Sequence, residues 1–309
     1  MYNLATVKSA LNSMTTSSQT IVDLGALTHR GKVRSNNEDS FLIARFGRSM
    51  RTLLTNLPNG LLPNQHAEVG YGMLVADGMG GAAGGEVASR TAVSALINMS
   101  LQTSDWILNL GDQHADQVLR RMEERFAQLR NALAERIRTD SRLAGMGTTM
   151  TLAMSLGADL IIAHVGDSRA YLFTEGHLAR LTRDQTMAQL LADVGVISPE
   201  DVGRHHARHV LTGAITAEGE KAEVELHHIR LADGDQLLLC SDGLTEMVSD
   251  AAIATVLGQR RSATESCHTL LDLALQAGGK DNVTVVLAGY QIPTADSNRG
   301  ANRANLRSW

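Results

Sequence analysis

Three apolar runs in this chain stop on an aspartate followed by a small residue: Leu74-Val75-Ala76-Asp77-Gly78, Ala163-His164-Val165-Gly166-Asp167-Ser168 and Leu239-Cys240-Ser241-Asp242-Gly243. Lys280-Asp281-Asn282 is the mirror image, lying immediately before the apolar run 283–288, and Glu38-Asp39 precedes another such run. A single Asp-Gly is ordinary turn chemistry, since the short carboxylate bonds its own backbone and glycine tolerates the turn. Four together ask for more. Carboxylates at strand termini can converge on one edge of a sheet sandwich, where several anions repel unless cations neutralise them. Hard divalent ions meet that need. Oxygen donors with no Cys/His set alongside favour Mg²⁺ or Mn²⁺ over zinc.

The elements that must position these groups are short β-branched runs at 21–28, 39–44, 71–76, 148–155, 159–165, 169–173, 223–231, 236–240 and 282–289, each predicted as a strand. Helical periodicity interrupts them in few places. Over 114–139, Val118, Met122, Phe126, Leu129, Leu133 and Ile137 recur at steps of three or four, which lays one apolar stripe on a core. Residues 85–103 read similarly. Residues 262–277 open with Ser262 and Glu265 as a capping box and close on Gly278-Gly279, with Cys267 expected as a buried, inert thiol. Strands and helices do not alternate one by one, so a doubly wound parallel sheet fits poorly. Antiparallel sheets packed together with helices outside fit better.

Composition bounds the rest. The 309 residues carry a formal net charge of −5 with 43% hydrophobic and 20% charged residues, which argues against a dedicated nucleic-acid binder and against disorder. With only Cys240 and Cys267, neither a disulfide scaffold nor a thiolate zinc site is available, and a reducing, cytoplasmic location is expected. No apolar run reaches the ~20 residues a bilayer needs, so no membrane association is expected. Residues 1–20 and 293–309 read as flexible ends around one domain, 21–292.

At this point the residues carry a resemblance. The ordered set Gly31-Lys32-Val33-Arg34-Ser35-Asn36-Asn37-Glu38-Asp39, Asp77-Gly78-Met79-Gly80-Gly81, Gly147-Thr148-Thr149, Gly166-Asp167-Ser168-Arg169, Ser241-Asp242-Gly243 and Lys280-Asp281-Asn282 resembles the metal-dependent type 2C serine/threonine protein phosphatases, in their bacterial branch. The resemblance implies an α+β fold, an αββα sandwich of two antiparallel sheets flanked by helix pairs. It implies a dinuclear Mg²⁺/Mn²⁺ centre in which Asp77 bridges both ions, Glu38 and the Gly78 carbonyl help hold one, and Asp242 and Asp281 hold the other. Asp39 would act through bound water, Asp167 would hold a third, weaker ion, and Arg34 would bind phosphate. The implied reaction is hydrolysis of a phosphoester by a metal-bridging hydroxide, with no phosphoenzyme nucleophile and no reactive cysteine. Phosphorylated proteins would be the substrates, made by a partner serine/threonine kinase, and the chain would act as a monomer in bacterial signalling.

Departures from the family pattern are also visible. Met79 stands where many relatives carry histidine and cannot transfer a proton, so the leaving alkoxide must be protonated by water or another group. Segment 175–222 matches a mobile flap; His205, His206 and His209 within it read as a solvated face, with His209 aligning loosely with a third-ion serine of some relatives. The basic insertion 45–70, holding Arg45, Arg48 and Arg51 with no acid until Glu68, is either an inert surface feature or a guide for acidic phosphoproteins. Two other classes compete. Gly78-Met79-Gly80-Gly81-Ala82-Ala83 formally fits a dinucleotide fingerprint, though Asp77 would set a negative charge beside the pyrophosphate. A catalytically dead binding module would lack the complete carboxylate set.

Overall fold

Successive side chains of a strand point to opposite faces, and in the segment ending at Asp77 both faces are buried. Leu74 and Ala76 belong to one apolar cluster and Met73 and Val75 to another. Leu237 and Leu239 share that second cluster, whereas Leu238 and Cys240 lie in a third. Strands covered on both faces require layers above and below. A computed structural model shows them, describing residues 20–58, 61–62, 64–80, 84–102, 115–218 and 222–293.

One sheet runs β1 (Ile21–His29), β13 (Val283–Gln291), β12 (Gln236–Cys240), β8 (Arg169–Thr174) and β9 (His177–Arg180). The other runs β11 (Glu225–Arg230), β7 (Asp159–Val165), β6 (Met150–Leu156), β3 (Gln65–Ala76) and β2 (Ser40–Arg51). A small sheet joins β10 (Ile215–Thr216), β5 (Gly147–Thr148) and β4 (Gly78–Met79), and the pairings are antiparallel throughout. Helices α1 (Gly84–Gln102) and α2 (Ala115–Thr139) cover the β2–β3 sheet; α5 (Asp250–Gly258) and α6 (Ala263–Gln276) cover the other. Two short helices, α3 (Met187–Asp193) and α4 (Asp242–Thr245), complete the set. The expected αββα sandwich is therefore the fold.

Local predictions hold where the pattern was strong. Met122, Phe126, Leu129 and Leu133 of α2 are buried, with Ile137 packed against them; the side chain of Val118 lies outside the described residues. Ser262 and Glu265 make the reciprocal capping box of α6, and burial of Cys267 pushes its thiol up to about 12. The ends expected to be flexible, 1–20 and 293–309, lie outside the described residues except at Thr20 and Pro293. So do Gly81, Ala82 and Ala83 of the dinucleotide-like stretch.

Two segments hold regular structure that the apolar pattern did not show. The segment 45–70, expected as an insertion, extends the hairpin: β2 continues to Arg51 and β3 begins at Gln65, paired in register out to Arg51 and Gln65. Beyond the sandwich neither face of the ribbon is covered, so its residues carry no period-2 apolar alternation to read. The flap 175–222 likewise holds β9, α3 and a 3₁₀ turn at Pro199–Arg204; these elements are too short for periodicity to show.

Candidate metal centre

Strand register brings the sequence-distant carboxylates to one end of the sandwich. Ser40 pairs with Ala76, so Glu38 and Asp39 arrive beside Asp77. Cys240 pairs with both Arg169 and Val285, which sets Asp242 beside Asp167 and Asp281. A cleft of about 1180 Å³ opens there, lined by Arg34, Glu38, Asp77, Gly78, Asp167, Asp242 and Asp281 among others. All but one of the residues singled out from the sequence thus share one cavity. Asp39 does not line it: only 7% exposed, it sits beneath, accepting the Ser241 hydroxyl at 2.7 Å.

Close backbone approach makes this convergence possible. A Cβ on Gly78 would stand 2.0 Å from the Gly85 carbonyl oxygen, and one on Gly85 would stand 2.7 Å from the Glu38 carboxylate. Only glycine at both positions lets the start of α1 press against the Asp77-Gly78 turn.

Several residues that the sequence offered only as parts of motifs hold the cluster together. The Asp77 N–H donates to Thr149 Oγ1 at 3.0 Å, and the Thr148 hydroxyl and Thr149 N–H both donate to the Asp77 carbonyl at 2.8 Å. Thr149 Oγ1 also meets Ser168 Oγ at 2.9 Å, tying the turn of Asp77 to that of Asp167. Asn282 accepts the Glu38 N–H at 2.8 Å and donates to the carbonyls of Arg30 and Asn36, fastening the Arg34–Glu38 loop to β13. Arg169 forks onto both oxygens of Asp184, at 3.0 and 2.7 Å, and so anchors the base of the flap.

Arg34 reaches over the cleft, its Nη2 2.6 Å from Asp281 Oδ2. The histidines divide. His205 and His206 face one another with ring centroids 4.3 Å apart, and neither lines the cleft. His209 does line it while staying exposed, as expected of a solvated face. Its Nδ1 lies 3.0 Å from Glu246 Oε1, and one ligand atom each of His209, Asp242 and Glu246 fall within 4.8 Å of one another. Glu246 escaped the sequence reading because it sits one turn past Asp242, in a helix too short to show a face.

Electrostatics mark the cluster as underneutralised. Burial, and then the fields of Asp39, Asp242, Asp167 and Asp281, hold Asp77 well above the ordinary carboxylate range. Asp242 is raised in the same way by burial and then by Asp167 and Asp281. Burial raises Asp39 to about 6 and, reinforced by Asp184, raises Asp167 to about 7. Asp39 Oδ1 and Asp242 Oδ1 are buried with no hydrogen-bond partner. Orphaned oxygens among mutually repelling carboxylates, with oxygen donors dominating the set, fit hard divalent cations.

Comparison with known proteins agrees. Residues 64–276 match the family model of protein phosphatase 2C. The serine/threonine protein phosphatase PstP of Mycobacterium tuberculosis is 36% identical over 87% of this chain, which spans 45% of that relative's length. The serine/threonine phosphatase stp of Listeria innocua is 32% identical, with 84% of this chain and 92% of that one covered. Among solved structures, the catalytic domain of PstP in complex with two manganese ions superposes with a TM-score of 0.68 at 34% identity, covering 88% of this chain and all of that one. The Streptococcus agalactiae serine/threonine phosphatase gives 0.70 at 29% identity, covering 87% and 99%.

Proposed function

This chain belongs to the protein phosphatase 2C family, and on that premise we propose that it is a Mg²⁺- or Mn²⁺-dependent protein serine/threonine phosphatase. The observation that carries the proposal is the convergence of Glu38, Asp77, Asp167, Asp242 and Asp281 on one cleft, with a buried orphan oxygen on Asp242. Asp77, Glu38 and the Gly78 carbonyl would hold one ion and Asp242 and Asp281 the second, with Asp39 acting through water. A third, weaker ion would be held by Asp167 beside Asp242, where His209 and Glu246 supply further donors. Bound there, such ions neutralise phosphoryl oxygens and lower the pKa of the attacking water. The reaction so supported is direct hydrolysis of the phosphoester.

The chain's own residues do the rest. Arg34 stands at the mouth of the cleft, its guanidinium a planar fork suited to two phosphoryl oxygens, and Asp281 aims it. Cys240 is buried and its thiol pushed up to about 12, so it is no nucleophile at neutral pH. Met79 moves no proton. Phosphorylated proteins made by a partner serine/threonine kinase are the substrates this reading supports, with the chain monomeric and cytoplasmic.

Turnover of a phosphoserine or phosphothreonine peptide is expected to fall about a hundredfold or more in chelator and to return with Mn²⁺. Full chelator-resistant activity of the pure protein would overturn the assignment. Arg34→Ala is expected to raise KM for the peptide about tenfold and leave Mn²⁺ affinity by calorimetry nearly unchanged, since it removes a phosphate contact and no ion ligand. An unchanged KM with lost metal binding would place Arg34 wrongly.

A further inference from the structure

His164 of β7 is fully buried and does not line the cleft, yet both nitrogens of its ring are engaged. Nε2 lies 3.0 Å from the Gly166 carbonyl oxygen and 3.1 Å from that of Arg183. Carbonyl oxygens only accept, so Nε2 carries the ring proton and donates to both. Burial lowers the pKa of the ring and keeps it neutral, which leaves Nδ1 to accept the Thr151 hydroxyl at 2.8 Å. Any core histidine needs partners to offset its burial. What distinguishes this one is where the partners lie.

They belong to β6, to the turn before Asp167 and to the base of the flap. Gly166 immediately precedes Asp167 with a φ of +115°, a conformation that glycine alone takes freely, so this turn has no side chain of its own to fix it. Hydrogen bonds fix it instead. The Gly166 carbonyl accepts the His164 ring and also the Gln185 N–H at 2.7 Å, while the Gly166 N–H donates to Gln185 Oε1 at 3.1 Å. In the flap, the Arg183 N–H donates to Glu225 of β11 at 3.0 Å, and the Gln185 carbonyl accepts the N–H of Thr212 on the returning arm at 2.8 Å. Thr212, Leu211 and His209 line the cleft together with Asp167.

We infer that His164 is a positioning residue: its imidazole clamps the Asp167 turn to the base of the flap, so that Asp167 and the flap's share of the cleft wall keep a fixed separation. Neither side can shift without breaking a bond to the ring. The effect of the clamp on turnover rests on the phosphatase reading, whereas the clamp itself is a set of hydrogen bonds that can be tested without catalysis.

His164→Leu keeps an apolar body in the core and removes both ring nitrogens, and His164→Gln restores a donor near the place of Nε2. Hydrogen exchange of the full chain in chelator is expected to quicken about tenfold at Gly166 and Gln185 in the leucine variant, the worth of one hydrogen bond. Peptides of β13 should exchange as in the parent, and the glutamine variant should regain most of the protection. In Mn²⁺ the leucine variant is expected to lose about ten- to a hundredfold in kcat per folded molecule, measured well below its melting temperature. Calorimetry should still count two tight Mn²⁺ sites, and glutamine should recover most of the rate. If the leucine variant does not fold, Thr151→Val, which takes away only the partner of Nδ1, is expected to quicken exchange at the same two amides. Exchange that rises equally in β13, or kcat per folded molecule equal to the parent's, makes His164 a packing residue and overturns the inference. A parent chain that turns over no phosphopeptide in Mn²⁺ overturns the phosphatase reading instead, and exchange alone then decides the clamp.

Discussion

Asp77→Asn and Asp242→Asn are each expected to lower phosphopeptide turnover about a thousandfold or more, while raising the melting temperature of the chelator-treated protein. The two effects have one cause. Asp77 and Asp242 are held well above the ordinary carboxylate range by burial and by neighbouring carboxylates, so each ionised group costs folding energy that only a bound cation offsets. Asparagine keeps the shape and removes the charge. Asp242 Oδ1 has no partner to lose, and the backbone bonds that position Asp77 run through its N–H and carbonyl. Relief of repulsion should therefore show as a gain of about 2–4 °C per kcal/mol recovered. Thermal melts and kinetics on the same samples check this. Retained turnover would remove these residues from the centre, and an earlier melt in chelator would mean that their carboxylates hold the fold rather than strain it.

How far the sequence reveals this site depends on what kind of residue each task needs. The carboxylates were legible because each flanks an apolar run, at its end for Asp77, Asp167 and Asp242 and at its start for Glu38 and Asp281, and a strand end is visible in both composition and period. The double burial of β3 and β12 was legible for the same reason: continuous apolar runs need cover on two faces. The residues that brace the site were not. Thr149, Ser241 and Asn282 act through backbone hydrogen bonds across 72, 43 and 244 positions of sequence respectively, and nothing local distinguishes them from ordinary strand-end polar residues. His209 could not be told from its neighbours by composition, since three histidines stand within five residues, and only the backbone path decides which lines the cleft. The outer half of the β2–β3 ribbon was hidden by a different cause. A strand without a core on either face keeps its hydrogen-bond register and loses its alternation, so Arg45, Gly47 and Ser49 read as loop.

Repulsion among the carboxylates also fixes how stability should depend on pH. Asp39 is raised to about 6 and Asp167 to about 7, against about 3.9 in an unfolded chain. Between those limits the folded protein keeps protons that the unfolded chain has released, so stability falls as pH rises through the window. Buried His164 acts in the opposite sense, since burial lowers its pKa and the folded state then resists protonation below about pH 6.5. Above that value the carboxylates act alone. The chelator-treated protein is therefore expected to lose melting temperature steadily from about pH 6.5 to 7.5. Mn²⁺ should reverse the slope, because its ligands must be deprotonated and its affinity grows with pH. At a hundredfold excess over Kd each site contributes about 2.7 kcal/mol, so two filled sites should raise the melting temperature by about 10–20 °C near neutral pH. Differential scanning calorimetry across that range, with and without Mn²⁺, measures both slopes. A flat profile in chelator would show that these carboxylates are neutralised within the chain itself, and the case for cations at this cleft would then rest on kinetics alone.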